Sequence, residues 1–208
     1  MKRSILTIST GALLVFARPL LAQDRVGAER SELRNPTNAE QCTLAASAIR
    51  GGITRGNGQV ALQLRRCDVT GPTAIASQWD LLPSDQGAMD YLISSSRGFA
   101  DKKLLGKLLQ VASDRSRPEI MRLAAIGTLA SFINPNWGAF TSKEVSTPQG
   151  YGIRMSMASA SFHEATNSPI DSADIESIRA TAKAIMKAEP GETDAFALAH
   201  TLSSLKQP

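Results

Sequence analysis

The chain has 208 residues, of which 23 are basic and 19 acidic, and its formal net charge is +4 at neutral pH. Three of the basic residues and none of the acidic ones lie in the first 22 positions, so the remaining 186 residues carry 20 basic against 19 acidic side chains. A nearly neutral chain argues against nucleic-acid binding, which depends on a surplus of positive charge. Aromatic content is only 5%, alanine is frequent, and strand signatures are scarce because β-branched residues cluster in few places, so a mainly α-helical chain with one sizeable core is expected.

The segment 1–22 has the layout of a secretory signal peptide. It begins with Lys2 and Arg3, continues with an apolar run from Ile5 to Ala17, and ends just before a polar stretch. The run is shorter than the roughly 20 apolar residues of a membrane-spanning helix. Such a segment would direct the chain to a periplasmic or extracellular location. Cleavage after Ala22 would then leave no membrane span. An uncleaved anchor is the alternative, because a basic residue and a proline stand unusually close to the cut.

A flexible leader and a first helix are expected next. Residues 23–36 are charged and poor in large apolar side chains. Thr37 and Glu40 have the spacing of a capping box, which predicts a helix to about Arg50. We expect a single helical-repeat domain to begin here and to cover residues 37–208. The inner face of the first helix is expected to contain Leu44, Ala45, Ala48 and Ile49.

Cys42 in this helix and Cys67 at the end of the next are the only cysteines. An even pair of cysteines in an exported chain predicts a disulfide. Antiparallel neighbouring helices would bring these two positions together. Two buried free thiols are the alternative. A zinc site is not expected, because His163 and His200 lack ligand spacing to the cysteines.

Three short helices are predicted before the most regular part of the chain. They are expected at about 58–67, at 72–82 with Pro72 in the first turn, and at 84–98. A strongly amphipathic helix follows, and its apolar residues recur at helical spacing. These residues are Leu104, Leu105, Leu108, Leu109 and Ala112.

The segment 137–168 interrupts the helical pattern with glycines, prolines and alternating residues. An ordered excursion is expected here, partly a short antiparallel β-ribbon. Aromatic residues are enriched at binding hot spots. They could equally fasten the excursion onto the helices. A last helix pair is expected at about 171–205. The candidate binding residues of the excursion are Trp137, Phe140, Tyr151 and His163.

The stretch 100–133 also carries a recognisable pattern. Its leucines at 104, 105, 108 and 109 are followed by Asp114 in a turn, and then by the run from Pro118 to Leu129, which includes Arg122. This stretch resembles a HEAT-type helical repeat. Residues 57–98 match loosely and the last helix pair does not match. The resemblance implies stacked antiparallel helix pairs in a short α-solenoid, with Asp114 and Arg122 tying one turn to the next, and it implies no chemistry.

Candidate catalytic groups are few. Ser203 and Lys206 have the serine–lysine spacing of penicillin-recognising enzymes, but the companion Lys-Thr-Gly sequence does not occur. The glycines at 51–58 lack the Lys-Ser/Thr of a phosphate-binding loop. His163 and Glu164 could serve in metal binding or proton transfer. We assign no catalytic residue, metal or cofactor from the sequence.

The sequence therefore predicts an exported helical-repeat module that binds another protein. The alternatives are a small hydrolase or metal-dependent enzyme with a site near His163 and Glu164, and a structural accessory of an envelope complex. An enzyme would have a deep pocket with converging titratable groups. A binding module would expose a groove or an apolar patch. The sequence fixes neither the partner nor the oligomeric state.

Overall fold

A computed structural model of the chain describes residues 38–83, 85–134, 144–146, 152–154, 169–191 and 193–207. Most of these residues are helical, which confirms the expected mainly α-helical class. The helices are α1 (Ala39–Ala48), α2 (Gly58–Gln63) with the 3₁₀ turn Leu64–Arg66, α3 (Thr70–Gln78), α4 (Gln86–Arg97), α5 (Lys102–Ser113), α6 (Glu119–Ile133), α7 (Ser172–Ala188) and α8 (Asp194–Ser204).

Two strands of three residues each lie between α6 and α7. They are β1 (Glu144–Ser146) and β2 (Gly152–Arg154), and they pair antiparallel with Val145 opposite Ile153. The rest of the excursion lies outside the described residues, so an ordered ribbon over this segment stays a prediction.

The helices contact one another in a regular order. Four pairs form between chain neighbours: α1 with α2, α3 with α4, α5 with α6, and α7 with α8. Each helix also contacts the one two places along, so that α1, α3, α5 and α7 form one row and α2, α4, α6 and α8 a second. Helices of this length are marginal alone and are stabilised by burying one face on a neighbour. The core lies between the two rows.

The α5–α6 pair occupies the centre of this arrangement. Leu104, Leu105 and Leu108 of α5 are buried, and Leu109 lies at the edge of the core. In α6, every residue from Met121 to Ile133 is buried, because this helix contacts α4, α5, α7 and α8. A helix that is apolar on all sides is typical of a fully enclosed position.

Most of the described helices have a side-chain cap at their N-terminus. A side-chain oxygen accepts a hydrogen bond from a backbone N–H of the first turn at Asn38, Asp85, Asp101, Asp171 and Thr193. Such caps satisfy donors that the helix itself leaves unpaired. At α7 the cap is reciprocal, since Asp174 accepts from the backbone N–H of Asp171.

Three local expectations are corrected. The cap of α1 is Asn38, whereas Thr37 lies outside the described residues. Helix α3 begins at Thr70, so Pro72 is its third residue and not its first. Leu44 is 52% exposed and Ala48 is also exposed, because the helices that α1 contacts within the described residues, α2 and α3 with the 3₁₀ turn between them, leave this side of α1 uncovered.

Cys42 and Cys67 form a disulfide that joins α1 to the end of the 3₁₀ turn after α2, with their Cα atoms 5.7 Å apart. Both residues are buried. The bond is compatible with an oxidising compartment. The signal segment that predicts export lies outside the described residues. Among the residues described, no helix has both the length and the apolar character needed to cross a bilayer.

Candidate interaction surface

The turn between α3 and α4 exposes two adjacent leucines. Helix α3 ends at Gln78, and Trp79, which follows it, is completely buried. After Asp80, Leu81 is 40% exposed and Leu82 is 58% exposed. The sequence had predicted that the helix would continue to Leu82, and this expectation was wrong. Pro83 disfavours a helical conformation in the residue before it, and this local signal predicts a non-helical Leu82.

A small groove lies beside these leucines. Its volume is about 50 Å³. That is far below the roughly 300 Å³ at which small-molecule sites begin. It therefore has the size of a recess for one apolar side chain. The lining residues are Leu82, Pro83, Asp85, Gln86, Met89 and Ile120.

One polar atom of the groove wall lacks a hydrogen bond. Gln86 donates from Nε2 to Asp90 Oδ1 at 3.0 Å. Its Oε1 is buried and accepts no hydrogen bond within the described part of the chain. An unpaired buried acceptor is costly, so a donor supplied by a bound group would be favourable here.

Paired charges surround the exposed leucines. Asp80 accepts hydrogen bonds from Lys107 Nζ and, at 2.9 Å, from Arg117 Nη2. The hydrogen bond from Lys107 is the main reason that the pKa of the Asp80 carboxyl lies below its ordinary value. Burial opposes this shift, and the hydrogen bond from Arg117 and the charges of both basic groups add to it.

On the other side of the turn, Asp85 caps α4 through the Ala88 N–H and lies 3.2 Å from Arg55 Nε. The hydrogen bond from Ala88 is the main reason that the pKa of Asp85 is lowered. Because these carboxylates have partners within the chain, the surface around the leucines is close to neutral.

A second recess adjoins the disulfide. Its volume is about 230 Å³, and it is open and partly polar. Its walls come from the start of α1 and from the turn before α3, where Val69 is 58% exposed. The lining residues are Asn38, Ala39, Cys42, Arg66, Cys67, Asp68, Val69 and Thr70.

The binding residues expected from the sequence cannot be placed on either surface. Trp137, Phe140, Tyr151 and His163 all lie outside the described residues, as does Glu164 of the alternative enzymatic site. Within the described ranges, no group of three or more His, Cys, Asp or Glu side chains is placed to hold a metal ion.

Ser203 and His200, the other polar side chains considered from the sequence, make contacts within their own helix α8. The Ser203 hydroxyl donates to the backbone carbonyl of His200 at 2.8 Å. The ring of exposed His200 stacks on Phe196, with ring centroids 6.5 Å apart.

Comparison with known proteins gives no match to a family model, to a curated protein or to a solved structure. The likeness to HEAT-type repeats therefore rests on the residues from Leu104 to Leu129 and stays a prediction.

Proposed function

We propose that this chain is an exported helical-repeat module, a short α-solenoid of four stacked helix pairs, that binds another protein. The main support for this architecture is the order in which the helices contact one another. Each helix pair packs on the next pair, and the two rows extend through all the helices described. Stacked helix pairs of this kind present extended surfaces for protein binding.

Ion pairs between successive helix pairs support the same architecture. Asp85 of the second pair faces Arg55 of the first, and Asp80 of the second faces Lys107 and Arg117 of the third. Arg122 of the third pair faces Glu189 of the fourth. The HEAT-like pattern predicted that an Asp and an Arg would tie neighbouring turns together in this way. Asp114, the other predicted residue, accepts hydrogen bonds from Ser116 and pairs with Arg117 inside its own turn.

The exposed leucines support protein binding. Leu81 and Leu82 are adjacent, lie beside a recess of side-chain size and are surrounded by charges that already have partners. A neutral apolar spot with a small pocket suits an apolar side chain of a protein partner. The excursion with Trp137 and Phe140 is proposed as a second part of the contact.

Site-specific photo-crosslinking in the host cell tests this proposal. A photoreactive residue replaces Leu82 in one variant and Leu44 in another. Leu44 is the matched control, since it is similarly exposed but lies on α1. We expect a discrete protein adduct at position 82 that is absent at position 44 and is reduced by Leu81→Ser.

Binding of the purified partner then provides the quantitative test. Leu82→Ser should raise Kd by about tenfold, as expected for a contact residue that contributes about 1–2 kcal/mol to the free energy of binding. Leu44→Ser should change Kd by less than about twofold. Equal adducts at the two positions, or an unchanged Kd for Leu82→Ser, would count against this surface.

A further inference from the structure

The disulfide lies at the bottom of an open recess. Cys42 and Cys67 are only 8% and 2% exposed, yet both line the recess of about 230 Å³ between the start of α1 and the turn before α3. The two segments that form its walls are the same two that the bond joins. A group that enters the recess therefore reaches the two cysteine side chains while the chain stays folded.

The walls of the recess are polar enough to admit a charged nucleophile. Arg66 and Asp68 contribute to them, together with Asn38 and Thr70. Thiol–disulfide exchange begins with attack by a thiolate, and one sulfur of the attacked bond leaves as a second thiolate. Apolar surroundings raise the pKa of a thiol and make it unreactive. An open, partly polar recess leaves both anions in contact with water, so desolvation opposes the reaction less than it would in a closed core.

The bond also anchors the first half of α1. Cys42 is the one buried residue of that half, and Ala45 is the only other buried residue of the helix. The far end of α1 has separate contacts, because Ile49 just after the helix is buried and Asn57 Nδ2 donates to the carbonyl of Ala48 at 3.1 Å. Loss of the disulfide should therefore loosen the N-terminal half of α1 first.

A reductant with two thiols suits this site better than one with a single thiol. The Cα atoms of Cys42 and Cys67 are 5.7 Å apart, so Cys67 stays beside any mixed disulfide that forms on Cys42. Its thiolate would restore the original bond before a second external thiol arrives, because a neighbouring group reacts at a high effective concentration. A dithiol escapes this reversal by closing its own disulfide.

We propose that the Cys42–Cys67 bond is a thiol–disulfide exchange site, that a dithiol reduces it through the recess, and that reduction loosens α1. One thiolate of the dithiol attacks Sγ of Cys42, the more exposed sulfur. A mixed disulfide forms, and the bond to Cys67 breaks with its electron pair on Cys67 Sγ, which takes a proton from water. The second thiolate of the dithiol then attacks its own sulfur in the mixed disulfide, and Cys42 leaves and is protonated. Two electrons pass from the dithiol to this chain. The inference does not depend on the proposed binding function.

Reduction of the folded full chain by dithiothreitol tests the route to the bond. The rate is followed by acid quenching, alkylation of the new thiols and mass spectrometry. Attack through the recess needs no unfolding, so the rate should change by less than about twofold in urea below the unfolding transition. A bond that is reached only after unfolding would react faster with added urea, with the slope of global unfolding. That result would overturn the proposal.

Two tryptophan variants test the recess itself. Val69 lines the recess and is 58% exposed, so Val69→Trp should narrow the opening and slow reduction by at least about fivefold. Leu44→Trp is the matched control, because Leu44 is 52% exposed on α1 but does not line the recess. It should change the rate by less than about twofold. Equal rates for the two variants would contradict entry through the recess.

Two other reductants test the class of reactant. Glutathione at the same thiolate concentration as dithiothreitol should leave at least about nine tenths of the chain oxidised, because Cys67 reverses its attack. Equal reduction by the two reagents would overturn the assignment to a dithiol. Reduced thioredoxin distinguishes the source of the dithiol. A faster reaction with thioredoxin than with dithiothreitol at equal thiol concentration would place the dithiol on a protein, and a slower one would place it on a small molecule.

Amide hydrogen exchange before and after reduction tests the effect on α1. Reduction should raise the opening equilibrium constant of the α1 amides on the order of 100-fold, as expected for loss of a cross-link across a loop of this length. The constant in the reduced chain should exceed that of α5 and α6 by at least about tenfold. An unchanged constant for α1, or the same constant for all three helices in the reduced chain, would show that reduction does not loosen α1 separately.

Discussion

Trp79 donates its indole N–H to the hydroxyl of Ser96 at 3.0 Å, and both side chains are completely buried. The bond joins the residue that follows α3 to the last turn of α4. It therefore fixes the turn that carries the exposed Leu81 and Leu82. The hydroxyls of Ser95 and Ser96 both donate to the Leu92 carbonyl, so these neighbouring serines differ chiefly in the tryptophan contact.

That difference allows a matched comparison. Ser96→Ala should lower the free energy of unfolding by about 1–3 kcal/mol more than Ser95→Ala, because it leaves the buried Trp79 N–H without an acceptor. The measurement is denaturant unfolding of both variants, analysed with one common dependence of the unfolding free energy on denaturant concentration. Equal midpoints for the two variants would show that the Trp79–Ser96 bond adds nothing to the stability of this turn.

The helical class and the central pair could be predicted because their signals are local. The leucines of α5 recur at helical spacing, so their burial follows from the sequence. In α6 the apolar run has no polar side, which is typical of an enclosed helix. Asp171 and Thr193 were predictable as helix starts from their own preferences and from the residues that follow.

The contacts that fix the ends of the stack could not be predicted in this way. Arg122 lies in a recognisable pattern, but its partner Glu189 is 67 positions away and belongs to a different helix pair. The exposure of Leu44 depends on which sides of α1 its neighbours α2 and α3 cover, a property of the assembled fold and not of the helix. The exposed Leu81 and Leu82 were expected at the end of a helix, although Pro83 gave the opposite signal.

Two helical glycines should respond oppositely to alanine. A Cβ on Gly58 would overlap the Tyr91 ring, whereas one on Gly106 would meet nothing within 4 Å beyond its own helix backbone. Gly106→Ala should stabilise the chain by about 0.5–1 kcal/mol, because glycine is unfavourable inside a helix. Gly58→Ala should destabilise it by about 1–3 kcal/mol, because the ring must move. Thermal unfolding of the two variants distinguishes these outcomes, and stabilisation by Gly58→Ala would mean that α2 does not approach α4 this closely.

Removal of the disulfide should lower stability without changing the fold. The bond closes a loop with a sequence separation of 25. In the chain-entropy model this corresponds to about 3 kcal/mol. A Cys42→Ala/Cys67→Ala double variant avoids burying free thiols and should show this loss in denaturant unfolding with an unchanged helical circular dichroism spectrum. Thiol titration of the intact protein before reduction is the control, and two reactive thiols would contradict the bond.

The paired carboxylate of Asp80 should make stability depend on pH in the acid range. Its pKa is lowered in the folded state by the hydrogen bonds from Lys107 and Arg117. The unfolded chain therefore takes up a proton first as the pH falls below about 4. The contribution of Asp80 is present above that pH and is lost as the pH falls through its folded-state pKa.

Asp80→Asn removes this contribution, and the free energy of unfolding of this variant is compared with that of the unmodified chain at several pH values. The side chain is about half exposed, so we expect a loss of less than about 1 kcal/mol at pH 6. The difference from the unmodified chain should shrink towards pH 2.5 and in 1 M salt, where exposed charges are screened. Asp68→Asn, in the exposed turn before α3, makes the same chemical change away from Lys107 and Arg117. A difference for Asp80→Asn that stays constant from pH 6 to pH 2.5 would show that the paired charge does not contribute to the contact between the second and third helix pairs.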